Sequence, residues 1–517
     1  MNSAHYDRLS TLDAGFLNIE DNNSPMHVGS IGLVEAEPMT LEDGSLDFDR
    51  IERIISQVIP RNPRLFQKVW WPNGGPPVWI DDENFDLGFH FRRVALPSPG
   101  TLDELRELCG RILSMRLDVT RPLWETWIIE GIEGDKFAIF WKLHHALADG
   151  VAVRDILVGY LGFEPSSEVP KPIELSPRPA PTLGQLYRDE ALFRIEKTRE
   201  VSQRIGDLLR GSGPLADSVA EVANGVLTSV ATLLSSPTPT RFNKLTGPHR
   251  RYDWTSTDFE ELSEIRKHSG AKINDIALSV VAGAMRSYLL KHEVEVDDLD
   301  FRVMVPVNVR TASDAAGMGN HVSNMAVSLP LSETDPRRRL QKTMEATTRA
   351  KASGQSRIGE IFTLVNDWAG IHAPTSLARF TAQRLTANLV VTNIPGPMFP
   401  QYLGESLVLG ALPVVPLSAN QGLGIALYGY NQKLYWGFNA DRDLMPDLAD
   451  LVRAIDAEMD LLYRAFQPRV EMTRRLRAVE GKAPAKTTRK RAKAKRAPVD
   501  AAPAKESAKE ESASSAS

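Results

Sequence analysis

Two adjacent histidines, followed four residues later by an aspartate, are the residues of this 517-residue sequence best suited to chemistry: His144, His145 and Asp149 in the segment FAIFWKLHHALADG. An imidazole accepts a proton near neutral pH and can act as a general base when its other ring nitrogen is fixed. Neighbouring side chains at a strand end point to opposite sides, so only one histidine needs to face a reacting group. We predict that His145 is the base. Asp149 would hold the loop through an ion pair or backbone hydrogen bonds, and Gly150 would supply backbone freedom or space for substrate.

Two other interpretations of the histidines follow from the sequence. An isolated histidine pair is often no more than two polar residues at a strand end. A zinc site is the second, but the sequence has no HExxH motif, its ten histidines form no second close set, and Cys109 is its single cysteine. We therefore predict no metal and no bound cofactor. The single cysteine also excludes an intrachain disulfide, as is typical of a reducing compartment.

The elements around the histidines are predicted to form a rigid frame. Trp124–Ile129 and Phe137–Leu143 are apolar and rich in strand-favouring residues, and Glu130–Lys136 between them carries turn residues. This pattern predicts a hairpin whose second strand ends at the histidines. Helical character resumes over Val151–Tyr160, so the histidines and Asp149 are expected on a short loop between two rigid elements, where functional residues are commonly held.

Short apolar runs typical of strands and longer helical periods alternate through both halves of the chain, which predicts an α/β (α+β) fold. The predicted strand regions are Val69–Ile80, Trp124–Ile129, Phe137–Leu143, Phe301–Val307, Leu389–Val391, Gly424–Tyr430 and Lys433–Asn439. The predicted helices are Phe48–Ile59, Leu102–Leu117, Thr182–Arg210, Phe259–Lys267, Asp275–His292 and Leu448–Phe466.

Composition along the chain predicts four regions. Residues 1–165 form a first domain and residues 247–468 a second. Between them, residues 166–246 contain a proline-rich connector and an amphipathic helix over Leu215–Leu234, whose apolar residues recur every three or four positions. Residues 469–517 form a disordered tail, because Gly481–Ser517 carries ten Lys/Arg against four Asp/Glu and has no aromatic residue. This basic tail could contact anionic lipid or nucleic acid.

The sequence also predicts where the protein works. The N-terminus has no basic region followed by an apolar run, so no secretory signal is expected. No stretch reaches the 18 or more apolar residues of a membrane span. The longest apolar stretch, Leu407–Leu417, contains two prolines. We expect a cytoplasmic protein that, if it meets lipid, does so from the surface.

The motifs of the chain resemble those of a known family. HHALADG matches the HHxxxDG signature of coenzyme A-dependent acyltransferases and peptide-synthetase condensation domains. The motifs around it resemble one branch, the bacterial bifunctional wax ester synthase/acyl-CoA:diacylglycerol acyltransferases. They are Leu9–Leu17, Pro25–Gly29, Leu117–Glu125, Asn274–Ala277, Pro306–Arg310, Gly319–Met325 and Thr392–Pro397. They run in order over residues 9–468, and the tail lies outside the resemblance.

The resemblance implies a two-domain fold like that of chloramphenicol acetyltransferase, with His145 in a tunnel at the domain interface. It implies transfer of a long-chain fatty acyl group from acyl-CoA to diacylglycerol or a long-chain alcohol, without a covalent enzyme intermediate. Triacylglycerol or a wax ester would be the product. The resemblance also implies peripheral contact with the inner membrane or with lipid droplets. Two alternatives remain open: an acyltransferase for another lipid or polyketide hydroxyl, and a non-catalytic family member that binds lipid or coats droplets.

The resemblance also implies roles for further residues. Asn274 would donate a hydrogen bond to the oxyanion, although Asn274 and Asp275 also look like a helix start that either side chain could cap. We expect a structural role for Asp275, as for Asp149. The candidates for the substrate tunnel are Pro122, Leu123, Trp124, Asn393, Pro395 and Gly396. The first three are equally compatible with a turn followed by a core tryptophan.

Overall fold

The computed structural model describes residues 6–73, 77–147, 154–156, 158–209, 236–308, 322–352 and 386–480. The chain divides into two units, Met1–Val470 and Glu471–Ser517. The first unit contains all three sheets described below. Of the second unit, the structure describes the helical residues up to Glu480.

The described strands, in chain order, are β1 (Tyr6–Arg8), β2 (His27–Glu35), β3 (Gln67–Trp70), β4 (Val78–Asp81), β5 (Phe91–Ala95), β6 (Trp124–Ile132), β7 (Lys136–His144), β8 (Arg250–Asp258), β9 (Arg302–Asn308), β10 (Val322–Ser328), β11 (Leu389–Ile394), β12 (Tyr402–Leu403), β13 (Ser406–Val414), β14 (Leu423–Tyr430) and β15 (Lys433–Asp441). The described α-helices are α1 (Thr11–Ile19), α2 (Phe48–Ser56), α3 (Leu87–His90), α4 (Leu102–Ser114), α5 (Leu183–Leu209), α6 (Phe259–Ser269), α7 (Ile273–Lys291), α8 (Pro336–Ala352) and α9 (Leu448–Glu480). The predicted α/β class is confirmed.

The first six-stranded sheet has the order β12-β13-β2-β7-β6-β5 and carries the histidine motif. Its β6 and β7 pair antiparallel, and β7 pairs with β2 so that His144 lies opposite His27. Apolar residues of α2 and α4 share one core with this sheet. Local signals begin both helices: Asp47 caps α2, and Thr101 and Glu104 form a capping box at α4.

The second six-stranded sheet has the order β10-β9-β11-β14-β15-β8, and β11 pairs parallel with both of its neighbours. The small and branched apolar residues of α7 are buried in one core with β9, β11, β14, β15 and α9. A helix that is apolar nearly all round is expected to be enclosed by other elements. A third, smaller sheet has the order β1-β4-β3.

One segment of the second half of the chain completes the first sheet. Strand β13 pairs with β2 and β12 pairs with β13, although β11 before them and β14 after them lie in the second sheet. The apolar stretch Leu407–Leu417 therefore forms most of β13 and the start of the connection that follows it. The sequence boundary at residue 247 does not anticipate this exchange, because strand pairing depends on which edge is available in the folded chain.

Several predicted elements need correction. The region Val69–Ile80 is two antiparallel strands, β3 and β4, since Pro72 interrupts the run. The predicted disorder from residue 469 is wrong for residues 469–480, which continue α9. These residues are mostly strong helix formers, and extending an existing helix avoids the cost of nucleation. The predicted helix Leu215–Leu234 and residues 481–517 lie outside the described residues.

Within the described ranges, no helix is both long and apolar enough to cross a membrane.

Candidate functional site

The backbone at the end of β7 is held on both sides by hydrogen bonds. The His144 N–H donates to the Leu123 carbonyl at 3.0 Å, and the His145 N–H donates to the Met26 carbonyl at 2.8 Å. His144 is completely buried, whereas His145 is partly exposed. The two histidines therefore face different surroundings, as the sequence predicted for adjacent residues at a strand end.

His145 lies on the wall of a cavity of about 340 Å³. Its ring stacks on Phe16 of α1, with ring centroids 4.0 Å apart and planes inclined by 18°. Nδ1 of His145 is buried.

The cavity lies between the two large sheets and is mainly apolar. The first sheet contributes Val28 and Gly29 beside His145, and β9 and β11 of the second sheet contribute residues opposite them. Helix α1, the segment between α1 and β2, Thr386 and the connection between β13 and β14 supply the remaining walls. The full lining is Leu12, Phe16, Ile19, Ser24, Met26, Val28, Gly29, His145, Met304, Pro306, Thr386, Val390, Thr392, Ile394, Val414, Val415, Pro416, Leu417, Ser418, Ala419, Asn420 and Gln421.

His144 lies beside a buried carboxylate, Glu20, at the end of α1. Its Nε2 is 3.5 Å from Glu20 Oε1, and its Nδ1 accepts a hydrogen bond from the Ala146 N–H at 3.0 Å. Arg116 donates to Glu20 Oε2 from Nη2 at 2.8 Å, and His27 Nε2 is 3.8 Å from Oε1. The first histidine of the motif thus belongs to a buried polar cluster behind the cavity.

The charges in this cluster are set by their neighbours. Burial acts to raise the pKa of Glu20, but His144 and Arg116 outweigh it and lower the pKa to about 2. Burial, reinforced by the positive charge of Lys142, holds the pKa of His27 well below its usual value. At neutral pH the cluster therefore combines an ionised Glu20 with an uncharged His27.

Two predicted motif residues, Asp149 and Gly150, lie outside the described residues.

Asn274 and Asn393 come from different motifs but contact each other. Asn393 Nδ2 donates to Asn274 Oδ1 at 2.5 Å. Side chains alternate along a strand, and Thr392 and Ile394, the neighbours of Asn393 on β11, line the cavity. Asn393 and Asn274 therefore lie on the other side of β11 from the cavity wall, and this position does not favour the predicted oxyanion donor at Asn274.

Asp275 makes the contacts of a helix cap. Its Oδ2 accepts a hydrogen bond from the Lys272 N–H at 3.0 Å, and its Oδ1 accepts one from the Thr347 hydroxyl at 2.7 Å. The buried carboxylate thereby begins α7 and ties it to α8.

The Pro122–Trp124 element lies in the core of the first sheet. Leu123 and Trp124 are completely buried, and Trp124 stacks between His90 and Trp141. None of the three residues belongs to the cavity lining within the described chain. Their contribution to the site is indirect, through the Leu123 carbonyl that accepts the His144 N–H.

Pro395 and Gly396 also lie outside the lining of the cavity, although they directly follow Ile394, which is part of it. The Pro395 carbonyl accepts a hydrogen bond from Arg154 at 3.4 Å. A Cβ at Gly396 would lie 2.2 Å from the Gly429 carbonyl oxygen, so only glycine fits. The lining residues of this motif are instead Thr392 and Ile394.

Sequence reasoning missed Phe16, Glu20 and Arg116. Phe16 lies within the motif Leu9–Leu17 and could have been suspected from it. Glu20 and Arg116 are 96 positions apart, and no local pattern indicates that they meet.

Comparisons with known proteins agree with this geometry. Residues 9–277 match the wax ester synthase/diacylglycerol acyltransferase catalytic domain, and residues 318–463 match the C-terminal domain of the same family. A probable diacylglycerol O-acyltransferase of Mycobacterium tuberculosis is 30% identical over 474 residues, which cover 90% of this chain and 98% of the relative. A second, putative, diacylglycerol O-acyltransferase of that organism is 31% identical over 459 residues, covering 86% of this chain and 88% of the relative.

Solved structures show the same fold. The wax ester synthase/diacylglycerol acyltransferase from Marinobacter aquaeolei VT8 matches with a TM-score of 0.63 and 23% identity, covering 89% of this chain and all of that one. The starter condensation domain of rhizomide synthetase, in complex with C8-CoA and Leu-SNAC, matches with a TM-score of 0.55 and 13% identity, covering 90% of this chain and 94% of that one. The predicted two-domain acyltransferase fold is confirmed. The cavity beside His145 is thus the candidate active site of a chain that belongs to the wax ester synthase/diacylglycerol acyltransferase family.

Proposed function

We propose that this protein transfers a long-chain fatty acyl group from acyl-CoA to the hydroxyl of diacylglycerol or a long-chain alcohol, with His145 as general base. The observation that carries the proposal is the position of His145 on the wall of an apolar cavity between the two sheets. The family of the chain supports the substrate classes, and the buried Nδ1 of His145 supports Nε2 as the reacting nitrogen.

His145 contributes two proton transfers to the reaction. Nε2 takes the proton of the acceptor hydroxyl as that oxygen attacks the thioester carbonyl carbon. A carbon–oxygen bond forms, the carbon–sulfur bond then breaks, and the imidazolium returns the proton to the departing thiolate. The products are an ester and free coenzyme A. A positioned base of this kind contributes roughly 10²–10⁴-fold in rate, and no further cofactor takes part.

The developing oxyanion needs a donor inside the cavity, and we propose Thr392 in place of Asn274. Thr392 lines the cavity from β11 of the second sheet, whereas His145 follows β7 of the first. A base and a donor on opposite walls would enclose the reacting carbonyl. Removing an oxyanion donor costs about 10²–10³-fold in kcat, so Thr392→Val should fall in that range if the hydroxyl has this role.

The activity test uses radiolabelled palmitoyl-CoA with diolein or with hexadecanol, and it follows neutral lipid and free thiol together. Wild type should release one thiol for each ester formed, and His145→Ala should form no ester. His249→Ala, at an exposed histidine, is the matched control and should retain wild-type activity. Unaltered transfer in His145→Ala would refute the assignment of the base.

The acceptor panel separates the alternative functions. Ester formed only with another lipid or a polyketide alcohol would assign the protein to a different hydroxyl. Tight binding of palmitoyl-CoA without turnover on any acceptor would instead support a lipid-binding family member.

Because the acceptors are insoluble in water, we also propose peripheral contact with a lipid surface. Two apolar side chains on α5, Leu192 and Ile195, are 58% and 67% exposed. The fraction of protein that floats with phosphatidylcholine-coated triolein droplets should decrease when both residues are replaced by serine. The same change at Leu245, which is 70% exposed elsewhere on the chain, should have no effect. Equal flotation of all variants would argue against α5 as the contact.

A further inference from the structure

We infer that Glu20 is the positioning residue of the catalytic loop: its buried carboxylate joins His144, the Met26 peptide and Arg116 into one unit that fixes the place of His145. The inference builds on the proposed role of His145 as base. Glu20 itself lies outside the cavity lining and is argued to act through its neighbours.

The two oxygens of Glu20 have different partners. Oε1 accepts a hydrogen bond from the Met26 N–H at 3.1 Å and lies 3.5 Å from His144 Nε2. Oε2 accepts from Arg116 Nη2 at 2.8 Å and from Nε at 3.3 Å. The Glu20 side chain is 1% exposed, so these contacts take the place of water around its charge.

The backbone of Met26 links Glu20 to His145 through two hydrogen bonds. Glu20 accepts the N–H of Met26, and the carbonyl of Met26 accepts the N–H of His145 at 2.8 Å. A shift of the carboxylate would therefore move the residue to which the His145 backbone is bound.

A second link runs through α1. Glu20 is the C-cap of this helix, and its N–H donates to the Phe16 carbonyl at 3.1 Å. Phe16 stacks on the His145 ring. The end of α1 thus holds the backbone of His145 through Met26 and the ring of His145 through Phe16.

The hydrogen bonds of His144 match this arrangement. His144 Nδ1 accepts a hydrogen bond from the Ala146 N–H, which leaves Nε2 as the ring nitrogen that can carry a proton, and Nε2 lies 3.5 Å from Glu20 Oε1. Met26 N–H and both Arg116 nitrogens also present protons to the carboxylate. A carboxylate has lone pairs for all of these donors, whereas a glutamine at this position would have to turn its own NH₂ group toward one of them.

Glu20→Gln is therefore the informative variant. It preserves size and leaves Arg116, which is 38% exposed, free to be solvated. Arg116→Gln would instead leave a buried carboxylate without its charged partner, and it should lower the Tm more than Glu20→Gln does. The double variant should recover part of that loss.

The first measurement is steady-state kinetics with palmitoyl-CoA beside thermal unfolding. Glu20→Gln should lower kcat by roughly 10–100-fold, as loss of an orienting partner commonly does, with KM within about threefold of wild type. Glu20→Asp keeps the charge on a shorter side chain, and its kcat should lie between those of wild type and Glu20→Gln. The control is Glu107→Gln in the exposed Glu107–Arg111 pair of α4, which should behave as wild type. Wild-type kcat in Glu20→Gln, or a loss confined to KM, would overturn the inference.

A readout independent of turnover separates this inference from the proposed activity. In ¹⁵N-histidine spectra, with the His145 signals assigned by their absence in His145→Ala, Glu20→Gln should shift the ring nitrogens of both His144 and His145, and Glu107→Gln should not. Unchanged His145 signals in folded Glu20→Gln would overturn the inference even if turnover falls. If wild type turns over none of the acceptors, the proposed activity fails, while the spectra still decide whether Glu20 positions His145.

Discussion

Phe16 and His145 lie face to face, with ring centroids 4.0 Å apart and an angle of 18° between their planes, although they are separated by most of the first domain in sequence. The backbone N–H of His145 is bound to the Met26 carbonyl, and its imidazole lies against the aromatic face of Phe16 on α1. Small displacements of a catalytic group lower the rate steeply, so this contact should matter for turnover.

Replacing Phe16 by Leu should lower kcat by roughly 10-fold, because the ring of His145 loses the flat surface that restricts it. The stability cost should be about 1–2 kcal/mol. Steady-state kinetics and urea unfolding measure both effects. Phe85→Leu is the matched control, since Phe85 stacks on His90 away from the cavity and is equally half-buried. Equal kcat losses in the two variants would show that the effect on Phe16 is one of general stability.

Asn274 and Asn393 should act as one unit, because they are hydrogen-bonded to each other. If activity falls in Asn274→Ala and in Asn393→Ala, the double variant should lose no more than the worse single variant. Thr392→Val combined with Asn274→Ala should instead be additive within about 0.5 kcal/mol of activation free energy, since the two side chains lie on opposite sides of β11. Additive losses for the asparagine pair would contradict the contact.

Gly29 and Gly32 on β2 should tolerate alanine very differently. A Cβ at Gly29 would lie 1.9 Å from the Trp141 carbonyl oxygen, whereas a Cβ at Gly32 would meet its nearest atom, the Ile139 carbonyl oxygen, at 3.9 Å. Gly29→Ala must therefore push β2 away from β7 and should cost about 3 kcal/mol or more, as strong overpacking does. Gly32→Ala should change stability by less than about 1 kcal/mol. Chemical denaturation of the soluble variants tests the difference, and equal stabilities would contradict the close approach of these strands.

His90 should make the folded state less stable in mild acid. Burial lowers the pKa of His90 to about 4 from its usual 6.5, in spite of the hydrogen bond between its Nδ1 and the Trp124 carbonyl. Between these values the unfolded chain binds a proton that the folded chain does not, so the free energy of unfolding falls as pH falls. From pH 7.5 to pH 5 this loss is about 2 kcal/mol.

Denaturation of wild type and His90→Asn at both pH values measures the effect. Asparagine can still donate to the Trp124 carbonyl but does not titrate, so its stability should depend less on pH by that amount. Glu20 does not obscure the comparison: with its pKa lowered to about 2 from 4.5, its contribution is lost only below about pH 4.5. An identical pH dependence in the two proteins would contradict a neutral, buried His90.

The sequence by itself determined the features that depend on neighbouring residues. The alternation and strand-favouring residues of Trp124–Leu143 were sufficient to predict a hairpin ending at His144, and the ordered motifs were sufficient to indicate the family. The opposite surroundings of His144 and His145 also follow from local geometry, because successive side chains on a strand point to opposite sides. These predictions succeeded because strand period and turn chemistry act over a few residues.

The tertiary structure decided what lies on each side of those elements. Alternation separates Asn393 from Thr392, but only the packing of β11 between α7 and the cavity determines that Thr392 lines the cavity and that Asn393 contacts Asn274. Glu20 and Arg116, 96 positions apart, come together in the same way. A sequence pattern states which residues share a face, whereas the choice of partner for that face is made by strand pairing and burial across the whole chain. That choice minimises unpaired polar groups and exposed apolar surface together, and no single segment carries the information for it.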